Sequence, residues 1–446
     1  MGLTSPRRLL EDSLKEYKLS RVFQIGEIMN TDFFRDEMEI FAEQRVFSND
    51  FVLPDYERFN LKNLSSLVGQ AFGSSSLAPA KFPEGYVDEF DGVEKVILFI
   101  LDGLGYQRLL AYLDSFEGAF SELVERGVLK PLTCPFPATT STSLTSIFTG
   151  LAPSEHKILG YHMFSKDYGL IFNTLDMRPV YGFSSHVNIA DAFARKVEPW
   201  MNKLQEQDVE TFIVTKGTII GSGLSKVIHR NQKVTSYIYQ SDMLERCRKI
   251  LEKPNRTLLM AYYSGIDTLE HKYGPYSEET TAEIQSVEAN LANFLNKLSE
   301  DTKKRTLMIL TADHGVSPTS KYYYLKDFSA ITENLMLPPV GDSRATFLFS
   351  KPDQYDKVVD GFRKSVEGFQ LFPSKKLIDK GAFGQTVDSR SLEEVVGDFT
   401  ALSASQNALQ YPFFDEDRRR MQLGSHGGMT AEEIFVPLLS AKLSKF

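Results

Sequence analysis

The run Val96-Ile97-Leu98-Phe99-Ile100-Leu101-Asp102-Gly103 reads as a strand that stops on an acid and a glycine. Six apolar residues in succession suit a strand buried on both faces, as in a parallel sheet covered by helices. Two later runs repeat the form. Thr257-Leu258-Leu259-Met260-Ala261-Tyr262-Tyr263 ends at Ser264-Gly265 and is followed by Asp267, and Leu307-Met308-Ile309-Leu310-Thr311 ends at Ala312-Asp313-His314-Gly315. Between them Ile284, Val287, Leu291, Phe294, Leu295 and Leu298 keep helical spacing, so the order is strand, helix, strand. Open parallel sheets bind ligands outside the carboxyl ends of their strands, where each run delivers a residue able to ligate a metal.

The 446 residues carry a net charge of −9 and are 42% hydrophobic, an ordinary balance for a globular chain of two or three domains or one large α/β domain with insertions. The acidic excess argues against a polymeric nucleic acid as partner. It leaves room for a small anion, because a metal or a helix end supplies positive potential locally. Two cysteines, Cys134 and Cys247, make no disulfide framework and suit a cytoplasmic protein. The opening MGLTSPRRLLEDSLKEY is charged where an export signal would be apolar, and Pro6 stands where N-myristoylation requires Ser or Thr. With no apolar run near the ~18–20 residues a membrane span needs, no membrane association is expected.

Seven histidines are few, so their positions carry information. His271 follows Asp267 by one helical turn, His314 follows Asp313 directly, and His426 lies in Gly424-Ser425-His426-Gly427-Gly428. Residues four apart on a helix share a face, so Asp267 and His271 can hold one ion together. Mixed carboxylate and imidazole donors suit Zn²⁺, with Mn²⁺ or Fe²⁺ as alternatives. Singly, each element has a plainer reading as a solvated helix face or a cap. Four of them at strand ends argue for a site.

A hydroxyl-rich turn completes the set. Pro137-Ala138-Thr139-Thr140-Ser141-Thr142-Ser143 opens a short helix running to Thr149-Gly150, where free backbone N–H groups and the helix dipole favour a phosphate. Coordination to a divalent cation would activate a threonine there as nucleophile, whereas by itself the turn reads as an N-cap.

Taken together, LDG at 101–103, FPATTSTSLTSIFTGLAPSEHKILGY at 136–161, the Asp267/His271 pair, ADHG at 312–315 and SHGG at 425–428 resemble the alkaline phosphatase superfamily. Within it the type I phosphodiesterase/nucleotide pyrophosphatase family, in its compact prokaryotic form, fits best. The resemblance covers about 95–165, 257–316 and 424–440, with PDYERFNLKNL at 54–64 as a lead-in. It implies one ion held by Asp102, Asp313, His314 and the nucleophile, and another held by Asp267, His271 and His426. It places the nucleophile nine residues before Thr149, at Thr140, with Thr139 as the fallback in a Thr-Thr pair. Animal members carry Asn at the position occupied here by Tyr161, a phenol that offers one hydrogen bond where an amide offers two. Tyr161 and its neighbour His162 are therefore expected at the substrate.

The expected fold is an alkaline-phosphatase-like α/β sandwich with a mostly parallel central sheet, helices on both faces and an inserted cap. Residues 1–90 would form an N-terminal extension packed on the core, and 91–446 the catalytic domain, with an insertion at about 340–410 after Leu337-Pro338-Pro339. A second region that fits the strand-and-motif pattern poorly covers about 165–245. The expected activity is two-metal hydrolysis of a phosphodiester or nucleotide pyrophosphate through a phospho-threonine. A phosphomonoesterase or phosphonate hydrolase is the alternative within enzymes, and a non-catalytic metal- or nucleotide-binding module the alternative outside them. His156, His186 and His229 read as structural or surface residues, Arg418-Arg419-Arg420 as a solvated charge run, and Thr430-Ala431-Glu432-Glu433 as a capping box that fixes the His426 loop.

Overall fold

The computed structural model describes residues 46–48, 50–181, 188–419 and 421–446; His186 and the first 45 residues lie outside them. The chain divides into two units, Met1–Leu53 and Pro54–Phe446. In the first, Val46–Ser48 pairs antiparallel with Phe51–Val52.

The second unit is built on a seven-stranded sheet. Its elements, in chain order, are β1 (Lys95–Leu101), β2 (Val128–Thr133), α1 (Thr140–Thr149), β3 (Glu210–Lys216), β4 (Lys233–Tyr237), β5 (Thr257–Tyr263), α2 (Gly265–Tyr273), α3 (Glu278–Lys297), β6 (Thr306–Thr311) and β7 (Phe435–Lys442). The strand order is β2-β7-β6-β1-β5-β3-β4. Only β7 runs against the others, pairing antiparallel with β6 and β2. The apolar runs at 96–101, 257–263 and 307–311 are adjacent central strands, and every residue of β1 and β6 is buried, as continuous hydrophobicity requires of a strand covered on both faces. The strand-like run Thr211–Val214 also joins this sheet, in β3 beside β5.

Register places the motifs. Lys95 lies opposite both Thr257 and Thr306, and Leu101 opposite Tyr263, so β1, β5 and β6 end within a residue of one another. Asp102, Asp267 and Asp313 therefore emerge at one edge of the sheet. The antiparallel β7 begins at that edge, which brings the His426 loop there; β2 ends there too, just before α1.

Helix α3 follows its predicted spacing, burying Ile284, Val287, Leu291, Phe294 and Leu295. Its N-cap Ser277 accepts the Thr280 N–H, and Phe294 meets Phe99 of β1 edge-on at 5.8 Å. Helix α1 is buried almost throughout in spite of its hydroxyls. Thr145 and Thr149 donate to the carbonyls of Ser141 and Thr145, each at 2.6 Å, so these polar groups are satisfied within the helix.

His156 supports this helix. Ile158 N–H donates to His156 Nδ1 at 3.0 Å, so the proton resides on Nε2, 3.0 Å from Ser146 Oγ. Burial depresses His156 to about 3. A base whose folded value lies below its unfolded value costs stability as pH falls, because the unfolded chain takes up the proton first. Stability from this residue is complete above about pH 6.5 and declines below it, by about 3 kcal/mol at pH 4.5. Thermal unfolding followed between pH 7 and 4.5 is expected to show a smaller acid-induced fall in Tm for His156→Gln than for the unsubstituted protein.

A second seven-stranded sheet, antiparallel throughout, joins two distant parts of the chain. Its strands are ordered Phe369–Pro373, Phe399–Ser403, Ala345–Leu348, Val340–Gly341, His162–Ser165, Leu170–Asn173 and Arg178–Pro179. The segment following Pro339 is thus interleaved with residues shortly after α1. Leu348, Val358, Phe362, Ala401 and Leu409 belong to a hydrophobic core beside it. Among the described residues, no helix is long and apolar enough to cross a membrane.

Candidate active site and metal centre

Each motif reaches the sheet edge on a short connection with its own backbone demand. Asp102 is the first residue past β1, and Gly103 follows at φ +81°. A Cβ on Gly103 would lie 2.6 Å from Glu270 Oε2 and 3.0 Å from the Asp267 Cα, so glycine is required there for space as well as for conformation. The Gly103 N–H donates to Asp313 Oδ1 at 3.3 Å and ties two of the connections together. Gly427, at φ +113°, turns the chain beside His426.

Seven side chains that the sequence singles out converge there. His314 Nε2 lies 3.2 Å from Thr140 Oγ1, 3.5 Å from Asp102 Oδ1 and 3.7 Å from Asp313 Oδ2. Asp267 Oδ1 lies 3.3 Å from His271 Nε2 and 3.8 Å from His426 Nε2. The rings of His314 and His426 stack at 3.8 Å, so the two groups form one cluster. Asp102, Asp313 and His314 make one set of donor atoms within 4.8 Å of each other, and Asp267, His314 and His426 make a second.

The hydrogen bonds around the cluster test whether metal ions fit it. His271, His314 and His426 each place Nδ1 against a backbone carbonyl, those of Gly424 at 2.8 Å, Gly315 at 3.2 Å and Ala138 at 3.0 Å. A carbonyl only accepts, so each Nδ1 carries a proton, and in the neutral ring that leaves the Nε2 lone pair toward the carboxylates. Burial and the neighbouring His314 and His271 hold His426 well below the ordinary imidazole value, keeping it neutral. Asp102 Oδ1, Asp267 Oδ1 and Asp313 Oδ2 are buried and have no hydrogen-bond partner among the described residues. Acceptors therefore face acceptors across 3.3–3.8 Å. Burial, then Asp313 and Asp267, push Asp102 well above the usual carboxylate range. Such a set lacks positive charge, and divalent cations fit it.

The two threonines are used differently. Thr139 is the N-cap of α1; its Oγ1 accepts the Thr142 N–H at 3.4 Å and donates to Thr142 Oγ1 at 3.1 Å. Thr140, the next residue, turns its hydroxyl to His314. Tyr161 and His162 stand apart from the cluster, on the wall of a cavity of about 570 Å³ that His271 and His426 also line. Their rings meet at 4.6 Å, and burial lowers His162 to about 4.

Four further residues carry weight without having been legible as site residues. Tyr262 donates its hydroxyl to Asp102 Oδ2. Glu270 is fully buried with neither oxygen partnered among the described residues, and burial and Asp267 raise its pKa; its place one residue before His271 was the available signal. Asp342 lines the cavity, and burial pushes it up to about 6, so it is anionic at pH 8. Arg344, fully buried, binds Glu433 through Nε at 2.8 Å and Nη2 at 3.1 Å. The expected capping box is present: Thr430 N–H and hydroxyl donate to Glu433 Oε2. Glu433 also accepts the Gly428 N–H at 2.7 Å, while its backbone carbonyl accepts the Gly315 N–H at 2.9 Å. One residue thus holds both histidine loops. Elsewhere, the half-buried His229 ring lies 5.1 Å from that of Phe148, and Arg418 pairs with Asp327.

The family model for type I phosphodiesterase/nucleotide pyrophosphatase matches residues 96–419. The chain belongs to that family. An uncharacterized pyrophosphatase/phosphodiesterase of Schizosaccharomyces pombe is 28% identical over 238 residues, covering 50% of this chain and 45% of the relative. GPI ethanolamine phosphate transferase 3 of the same yeast is 22% identical over 237 residues, covering 50% of this chain and 22% of the relative. The chain thus aligns with less than half the length of these curated relatives. Among solved structures, murine ectonucleotide pyrophosphatase/phosphodiesterase 5 superimposes with a TM-score of 0.61 at 18% identity, over 78% of this chain and 88% of the other. Phosphonoacetate hydrolase from Sinorhizobium meliloti gives 0.57 at 17% identity, over 77% and 89%. Both share the α/β fold with its mostly parallel sheet. An inactive Thr-to-Ala form of the murine protein is in complex with AMP.

Proposed function

We propose that the protein is a metal-dependent phosphodiesterase or nucleotide pyrophosphatase acting through a phospho-threonine. The observation that supports this most directly is the facing of three imidazole lone pairs and three unpartnered carboxylate oxygens beside the Thr140 hydroxyl. Asp102, Asp313, His314 and Thr140 would hold one divalent ion, and Asp267, His271 and His426 the other, Zn²⁺ being favoured by the donor set. When bound, the ions supply positive charge to the phosphate and lower the pKa of the threonine hydroxyl.

The chain's own part is positioning. Thr140 Oγ1 attacks phosphorus in line, the P–O bond to the leaving group breaks as the Thr–O–P bond forms, and the proton lost by the hydroxyl passes to solvent, from which the departing oxygen is protonated. Water then cleaves the phospho-threonine and restores the hydroxyl. The fixed loops keep the nucleophile aligned through both steps, which is where most catalysis in phosphoryl transfer arises. Tyr161 and His162, on the cavity wall, contact the rest of the substrate. The buried, unpaired Cys134 and Cys247 suit the expected cytoplasmic setting.

The test is hydrolysis of bis-(p-nitrophenyl) phosphate against p-nitrophenyl phosphate by Zn²⁺-loaded protein. The diester is expected to react faster by at least tenfold, with activity lost on chelation and restored by Zn²⁺. A strong preference for the monoester would remove the diesterase reading, and chelator-resistant turnover the metal-dependent one. The fold shared with phosphonoacetate hydrolase gives a second reading, favoured if phosphate release from phosphonoacetate outpaces both nitrophenyl esters.

A further inference from the structure

We propose that Asp342 selects substrates by phosphate charge, excluding dianionic monoester phosphate more strongly than the monoanionic phosphate of a diester. The inference rests on the reading above and extends it to a residue no motif contains. Asp342 occupies the turn between Val340–Gly341 and Ala345–Leu348 of the second sheet, and it lines the same cavity as His271 and His426. It is packed onto the His426 loop: its Cβ and Cγ lie 2.8 and 3.0 Å from where Gly427 would carry a Cβ. No side chain at Gly427 screens the carboxyl from the ligand-bearing loop.

The turn holds Asp342 in place. Its N–H donates to the Ala345 carbonyl at 2.8 Å, its carbonyl accepts the Thr346 hydroxyl at 2.9 Å, and its Oδ1 accepts the Ser343 N–H at 2.7 Å. Among the described residues it forms no ion pair with lysine or arginine; Arg344, two residues on, is committed to Glu433. A fixed, unneutralised carboxylate thus stands on the wall next to the candidate ion site. Among the described residues that line the cavity, Asp176, Asp342 and Asp417 outnumber Arg178.

The cations attract either kind of ester. A monoester brings one more formal negative charge than a diester, whose second ester linkage replaces an oxyanion. Like charges in a partly desolvated cavity are screened less than in water, so the extra charge is penalised by Asp342.

Asp342→Asn separates charge from structure, because an Asn Oδ1 still accepts the Ser343 N–H. In metal-loaded protein at pH 8, D342N is expected to raise the ratio of monoester to diester kcat/KM at least tenfold, whatever change the two rates share. D342E should keep the ratio of the unsubstituted protein. A structural role alone would lower both rates together and leave the ratio where it was. A second measurement, calorimetric titration with inorganic phosphate, does not depend on turnover. D342N should bind the phosphate dianion at least tenfold more tightly, and an affinity within twofold of the original overturns the proposal. If the unsubstituted protein cleaves no diester while D342N still gains phosphate affinity, the charge filter stands and the diesterase reading falls.

Discussion

Thr140→Ala is expected to reduce turnover of bis-(p-nitrophenyl) phosphate by about 10³-fold or more while metal content stays close to the original. The hydroxyl is one donor among several, and the three imidazoles keep their orientation through Nδ1 bonds to the carbonyls of Gly424, Gly315 and Ala138, none of which involves Thr140. Thr139→Ala provides the contrast. Losing the N-cap of α1 should cost about 1 kcal/mol of stability and leave most of the activity. Activity by colorimetric assay and metal by atomic absorption decide the matter together. Full activity in Thr140→Ala with none in Thr139→Ala would move the nucleophile by one residue, and full activity in the double variant would remove the covalent route.

Glu433→Ala should produce the largest loss of stability among single substitutions near the site. It strands the Arg344 guanidinium in a fully buried position, at a cost of about 3–5 kcal/mol. It also leaves the Gly428 N–H without its acceptor, adding about 1–3 kcal/mol. Chemical denaturation measures the fall. The pair Arg344→Met with Glu433→Met is the informative companion: burying apolar groups of similar size in place of the ion pair recovers much of the stability. It does not restore an acceptor for Gly428, so Zn²⁺ affinity should stay weakened while the fold recovers. Parallel recovery of affinity and stability would mean that the pair serves the fold alone.

The central strands were legible because burial on both faces leaves an unbroken apolar run, and the acids that end those runs stand out against it. Lys95–Leu101, Thr257–Tyr263 and Thr306–Thr311 are neighbours as well as strands, which topology rules for α/β folds allow one to expect. The convergence of Asp102, Asp267, Asp313 and the histidines then follows from register. Other parts gave no such signal. Two of the second sheet's strands are only two residues long, and its pairing joins His162 to Gly341 across a long sequence separation, which local periodicity does not encode. Asp342 looks like a turn former beside Gly341, and only the fold brings it to the His426 loop. Arg344 reads as an ordinary charged residue at a strand start; its value lies in a partner 89 residues away.

The strand furthest along the sequence lies inside the sheet, between β2 and β6. Until Phe435–Lys442 is inserted, both neighbours present open edges, and the last imidazole donor has not reached the others. Binding competence is therefore a property of the finished topology: donors drawn from Asp102 to His426 exist as a set only after nearly the whole unit has assembled. A cation that recognises this set binds the native state and not its precursors, so it acts late in folding and locks in a structure that the chain has already reached.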